Sequence, residues 1–396
     1  MPFLSKLTCD YRLRRMRDLM DRQGLDGLAF MSGDFFQFVS NFHVDVQLWE
    51  RPVIAVVPRN GAPFAAMHEL STSHIRFARQ RATMWIDDVT IYSEHVRSGD
   101  RTYLRPQWPE MLAELLQSHG LGRARLGVDS GSELLRRAAG LLPDVRLIPA
   151  LDQMRALRFV KCDEELALHR FAGAISDWGQ QRFRENIRPG RLVQEMDLTV
   201  AAMISEEAAR RAPGENVEIR TLSLSGPSSA SPHGDGAQTG ARMEKGHVLV
   251  NICNIRVNGM MTENERTYLI GKPSNDQVAY YEAARAANEA GTQAAIEGRP
   301  VCGIDAAAQG AIERAGFAQY ILHRTGHAMG VQGHEYPEDM PFNHRPLESG
   351  EVYSIEPGIY VFGLGGFRID DTVVVGREQP EVVTKAPRDL ASATLG

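Results

Sequence analysis

"GHVLVNICNIRVNGMMTENERTYLIG" (residues 246–271) is the stretch on which the reading of this chain turns. It runs from a glycine into a buried-looking strand and closes on a knot of acid and base at Glu263, Glu265 and Arg266. Just before it lies a Gly/Ser/Pro loop, "GPSSASPHGDG", carrying His233. Ile252 and Cys253 stand in the middle of the strand, where the chemistry of such a segment wants a carboxylate.

Outward from this stretch, one pattern occurs twice. Helices predicted at about 161–187 and 193–211 lead into "VEIRTLSLSG" and the opening stretch. Helices predicted at about 276–297 and 303–315 lead into "GEVYSIEPGIYV" and "FRIDDTVVVG". Two helix–helix–strand units of similar length suggest an internal duplication closing around a shared sheet, with a site between the halves. The polar tail after Gly376 is expected to be loosely held. Upstream, "YRLRRMRDLMDRQG" reads as an amphipathic helix, and "LDGLAFM", "PVIAVVP" and "RLGVDSG" as short buried strands of an α/β domain. A break near Arg155–Lys161 divides the chain into domains 1–157 and 158–396.

With 396 residues, 43% hydrophobic and 24% charged, the composition is that of a globular protein. A net charge of −6 gives no reason to expect nucleic acid or an anionic membrane as partner. The run Arg12-Leu13-Arg14-Arg15 reads as the wet face of a helix. The N-terminus lacks the apolar centre of a signal peptide, and no uncharged apolar run reaches about 18 residues. Cys9, Cys162, Cys253 and Cys302 are widely spaced, which suits a reducing cytoplasm.

Four segments of the second half carry reactive residue types: His233 in its loop; Glu263, Glu265 and Arg266 in "TENERT"; His323, His327 and His334 in "ILHRTGHAMGVQGHE"; and Glu356 with Asp370 and Asp371 in "YSIEPGIY" and "GFRIDDT". Each alone has a bland reading as a surface loop, a packed helix face or a solvated charge run. Together they point to a site, because acids inside apolar strands are costly to bury unless paired or ligating.

These segments, in this order, resemble the creatinase/prolidase/methionine aminopeptidase (M24) family. The resemblance implies an α/β N-terminal domain followed by an α+β pita-bread catalytic domain. Its metal-dependent members bind two divalent ions through two aspartates eleven residues apart, a histidine and two glutamates. Matched by position, His327 takes the histidine place, Glu356 and Asp370 the glutamate places, and Ile252 and Glu263 the aspartate places. One ligand is thus missing and two differ in length, which argues against a dinuclear site. A single ion on Glu263, His327, Glu356 and Asp370 stays chemically possible.

By this resemblance the chain falls with the creatinase-like branch that has dropped its metals. The expected activity is metal-independent hydrolysis of an amidino or amide C–N bond in a small polar metabolite, creatinase-like or ectoine-hydrolase-like, with no cofactor. His233 would be the general base, with His327, Glu356 and Asp370 catalytic. Glu263, Glu265, His323 and His334 would bind substrate. Trp49 and Arg51 in "LWERP" would cross to the partner's site in a homodimer. Glu338 replaces a carboxylate-binding arginine of creatinase, which makes creatine itself a poor fit. The alternatives are a metal-dependent Xaa-Pro dipeptidase or aminopeptidase with a non-standard site, and a non-catalytic pita-bread binding protein.

Overall fold

Short apolar runs bounded by turns become the strands of the first half. The computed structural model describes residues 4–44, 46–95, 103–234, 240–336 and 340–396. It forms two compact units, 4–158 and 159–396. In the first, strands β1 (Gly27–Phe30), β2 (Ile54–Pro58), β3 (Phe64–His68), β4 (Asp88–Ser93), β5 (Tyr103–Leu104), β6 (Arg125–Val128) and β7 (Arg146–Pro149) form a sheet of order β5-β4-β3-β2-β1-β6-β7. Pairings with β2 are antiparallel and the others parallel, so the sheet is mixed. Helices α1 (Lys6–Gln23), α2 (Gly33–Ser40), α3 (Thr72–Gln80), α4 (Trp108–Ser118), α5 (Glu133–Gly140) and α6 (Leu151–Ala156) alternate with it. Helix α1 starts where the Ser5 hydroxyl accepts from the Leu7 N–H, and it stops at Gly24, whose φ of 61° is left-handed.

Arg12 corrects the expectation of a wet basic face. It is buried, donates to the Phe38 carbonyl at 2.7 Å and lies over the Phe38 ring. A flat, weakly hydrated guanidinium with an aromatic face and a carbonyl to satisfy it tolerates that burial.

The second unit holds helices α7 (Asp163–Asn186), α8 (Val193–Arg211), α9 (Asn275–Ala294), α10 (Cys302–Arg314) and the short α11 (Leu390–Ala393). Its strands are β8 (Val217–Ser225), β9 (Val248–Val257), β10 (Met260–Thr262), β11 (Asn264–Ile270), β12 (Gly326–Ala328), β13 (Val352–Ile355), β14 (Gly358–Val361), β15 (Gly365–Arg368), β16 (Asp370–Val374), β17 (Glu381–Val382) and β18 (Thr394–Leu395). One sheet runs β10-β9-β11-β16-β13-β12, with β8 on β9, and β14 pairs β15 apart from it. The two helix–helix–strand halves therefore share the sheet and meet at β11 and β16. Cys253 points to the helix side of β9, where Gly179 of α7 leaves room for its sulfur. Ile252, its neighbour, points to the other face.

The tail is not loosely held. Strand β17 pairs β16 and β18 pairs β11, while Thr384 and Arg388 bond to Asp371 and the Ala386 carbonyl accepts from Arg266. Thr384, Arg388 and the Ala386 carbonyl serve a buried charge, while Arg377, Glu378, Gln379 and Lys385 face solvent. No helix among the described residues is long and apolar enough to cross a membrane.

Candidate metal centre

Side chains two apart on a strand share a face. Glu263 and Glu265 therefore look the same way, and Arg266 looks the other, where it meets Asp371 at 2.8 Å. In the antiparallel register Glu265 lies opposite Ile252 of β9 on one side and opposite Asp370 of β16 on the other. The three form a row across neighbouring strands. His327 arrives on β12, opposite Ser354 of β13, and Glu356 follows the end of β13. Gly326 permits this close approach: a Cβ there would lie 1.9 Å from the Ser354 carbonyl oxygen.

Around this face the acids converge. His327 Nε2 lies 3.5 Å from Glu263 Oε2 and 3.5 Å from Glu356 Oε1. Glu265, Glu356 and Asp370 each bring a carboxylate oxygen within 4.8 Å of the others. Other side chains fix one oxygen of several acids. Asn254 donates to Glu263 Oε1 at 2.9 Å, Ser354 to Asp370 Oδ1 at 2.9 Å, and Arg368 to Glu265 Oε2. Arg368 also stands 4.0 Å from Glu356 and donates to the Tyr360 hydroxyl and the Pro232 carbonyl. Asp370 Oδ2 and His327 Nε2 are buried without a hydrogen bond, as is Asn254 Oδ1, and Asp370 and His327 are 0% exposed.

Burial raises the Glu265 carboxyl to about 8, with Glu356 and Glu263 adding to it against the opposing pull of Arg368. Burial also drives Asp370 well above the carboxylate range, reinforced by Glu265, Glu263 and Glu356. Burial would raise Glu263 too, but His327 beside it wins and holds it low. The same contact raises His327 against its own burial. Crowded acids of this kind call for positive charge beyond the one guanidinium. The Asp370 oxygen without a hydrogen bond and the His327 nitrogen set between two carboxylates fit a divalent cation.

Of the residues expected at the site, Glu263, Glu265, His327, Glu356 and Asp370 come together. His334 is exposed and stacks on His327, with ring centroids 3.6 Å apart. His323 reaches Tyr360, its Nε2 lying 2.7 Å from the hydroxyl, and burial lowers its pKa. His233 is exposed, and no hydrogen bond among the described residues joins its imidazole to the acids. Trp49 is 80% exposed in the first unit, and Arg51 there pairs with Glu50 and Glu94. Glu338 lies outside the described residues. Sequence reasoning missed Arg368, Asn254, Ser354 and Tyr360. Asn254 was open to detection, being two residues beyond Ile252 on the same strand face.

Residues 167–377 match the model of Metallopeptidase family M24, and residues 12–160 match that of the Creatinase/Prolidase N-terminal domain. The probable dipeptidase PepE of Mycobacterium tuberculosis is 30% identical over 93% of this chain and 92% of its own length. The Xaa-Pro dipeptidase of Pyrococcus furiosus is 30% identical over 60% of this chain and 67% of its own. The crystal structure of dipeptidase PepE from Mycobacterium ulcerans superposes with a TM-score of 0.79 at 28% identity, over 98% of each chain.

These likenesses overturn the creatinase-like expectation of a metal-independent enzyme acting on a C–N bond other than a peptide bond. The relatives are named dipeptidases and Xaa-Pro dipeptidases, and the matching family is one of metallopeptidases. Ile252 does remove a carboxylate, but Glu265 stands opposite it in register, so the face is not emptied of acids. With both domain types matched in order and the pita-bread sheet carrying the acids, the chain belongs to metallopeptidase family M24.

Proposed function

We propose that this protein is a metal-dependent dipeptidase, acting on short peptides of the Xaa-Pro kind. The observation that carries the reading is the convergence of Glu265, Glu356 and Asp370 beside His327, with Asp370 Oδ2 and His327 Nε2 buried without a hydrogen bond. A divalent cation held by these residues would supply Lewis acidity, polarising a carbonyl and acidifying water. Asn254, Ser354 and Arg368 hold the acids in fixed rotamers, so no side chain has to reorganise as charge develops. Arg368 also ties the His233 loop to the acids through the Pro232 carbonyl. We assign the imidazole of His233 to proton transfer at the leaving amine and the exposed His334 to substrate contact, a reading their exposure supports.

Trp49, a large apolar side chain left 80% exposed, supports a homodimer formed through the N-terminal unit, with Arg51 beside it. The four free cysteines support a cytoplasmic setting.

The test is hydrolysis of a dipeptide panel by protein loaded with Mn²⁺, Zn²⁺ or Co²⁺, against chelated protein. Cleavage of Xaa-Pro dipeptides that is abolished by chelator is expected. Equal turnover in chelator, or no cleavage of any dipeptide with any ion, overturns the reading.

A further inference from the structure

The row Ile252–Glu265–Asp370 asks why a family site that has lost one acid should carry another directly across from the loss. We infer that Glu265 is the relocated cation ligand: it supplies from β11 the carboxylate that β9 no longer provides at Ile252. The inference rests on the metal-dependent reading above and deepens it.

Three features carry it. Directly opposed residues of an antiparallel pair present their side chains on one face about 5 Å apart. An acid moved from 252 to 265 thus shifts by about one strand spacing, toward β16, and stays within reach of the same space. Glu265 does not turn away from that space, since its carboxylate lies within 4.8 Å of those of Glu356 and Asp370. Ile252 is itself only 4% exposed and closes the side of the site from which a ligand was lost.

The second feature is the chain length of the acids. Asp370 is one methylene shorter than the glutamate the family pattern places there. Opposite a glutamate on the adjacent strand, the shorter acid leaves room for the longer one. The two departures are complementary rather than independent defects.

The third is charge and vacancy. Glu265, Glu356 and Asp370 crowd three carboxyl groups together, and Arg368 contacts Glu265. Asp370 Oδ2 is fully buried without a hydrogen bond on a carboxylate of this group, and His327 Nε2 lies 3.5 Å from Glu356 Oε1. An oxygen-rich set with one imidazole at its edge suits Mn²⁺ better than a thiophilic ion.

The experiment titrates Mn²⁺ into chelator-stripped protein, reading free Mn²⁺ by electron paramagnetic resonance and bound metal by elemental analysis. One equivalent is expected in the wild type. Glu265→Gln should weaken binding at least 100-fold, and Ile252→Asp added to Glu265→Gln should recover most of it. Because Gln leaves Arg368 facing a neutral partner, Glu265→Asp is the guard against misfolding. It keeps the charge, and should bind at least tenfold more weakly with thermal unfolding of the metal-free protein unchanged. If the wild type binds one equivalent and both Glu265 variants bind equally well, the relocation is wrong while the peptidase reading stands. If the wild type binds no divalent ion, both fail.

Discussion

Arg266 and Asp371 meet at 2.8 Å on the side of the sheet turned away from the acid cluster, both almost wholly buried. Arg388 adds a second guanidinium to Asp371 at 2.9 Å, and Arg266 also donates to the carbonyls of Ala386, Glu265 and Asp370. Removing the single carboxylate leaves a buried cation uncompensated. Asp371→Asn should cost about 3–5 kcal/mol. Urea unfolding of the metal-free proteins measures it, and a loss under about 1 kcal/mol would contradict the account.

Gly326→Ala tests the approach of β12 to β13. Its Cβ would sit 1.9 Å from a backbone oxygen that cannot swing aside. The strand carrying His327 must move, so the variant should lose about 3 kcal/mol or more and bind Mn²⁺ poorly. Wild-type unfolding together with wild-type metal affinity would count against this placement of His327.

Ser354→Ala frees one carboxylate oxygen of Asp370 without touching the proposed cation. Loss of such an orienting partner typically costs about 10–100-fold in metal affinity. Calorimetric titration of the variant checks this, and unchanged affinity would show that Asp370 does not need this donor.

His169 on α7 gives the pH dependence. Burial, with Lys161 adding to it, pushes its imidazole down to about 3. The unfolded chain takes up this proton near pH 6.5 while the folded one refuses it. The stability linked to it is therefore complete above pH 6.5 and is lost as pH falls toward 3, by about 1.4 kcal/mol for each unit. Between pH 6 and 4.5 the wild type should lose about 2 kcal/mol more than His169→Asn. Parallel stability curves for the two proteins would contradict this.

Much of the site could be read from the strands. Alternation puts Glu263 and Glu265 on one face, and the glycine-flanked His327 and the buried acids Glu356 and Asp370 carry their own signals. What could not be read is register: nothing local says that Glu265 faces Ile252 or Asp370, because those pairings join distant parts of the chain. Hence Ile252 reads as a loss when considered alone. The tail misled for a related reason, since Thr384, Ala386 and Arg388 are polar toward Arg266 and Asp371, not toward water. Arg12 misled because a cation looks wet until an aromatic face is known to lie beneath it.

The row across β9, β11 and β16 also sets a timetable. Asp370 lies beyond α9, α10 and β12 to β15 in the chain, so it meets Glu265 through a long loop closure. Until then no pocket exists to hold an ion, and the newly made chain carries its acids apart, without mutual repulsion. A divalent ion should therefore leave the rate of folding almost untouched and lengthen the lifetime of the finished protein, acting as a latch on a door that has already closed.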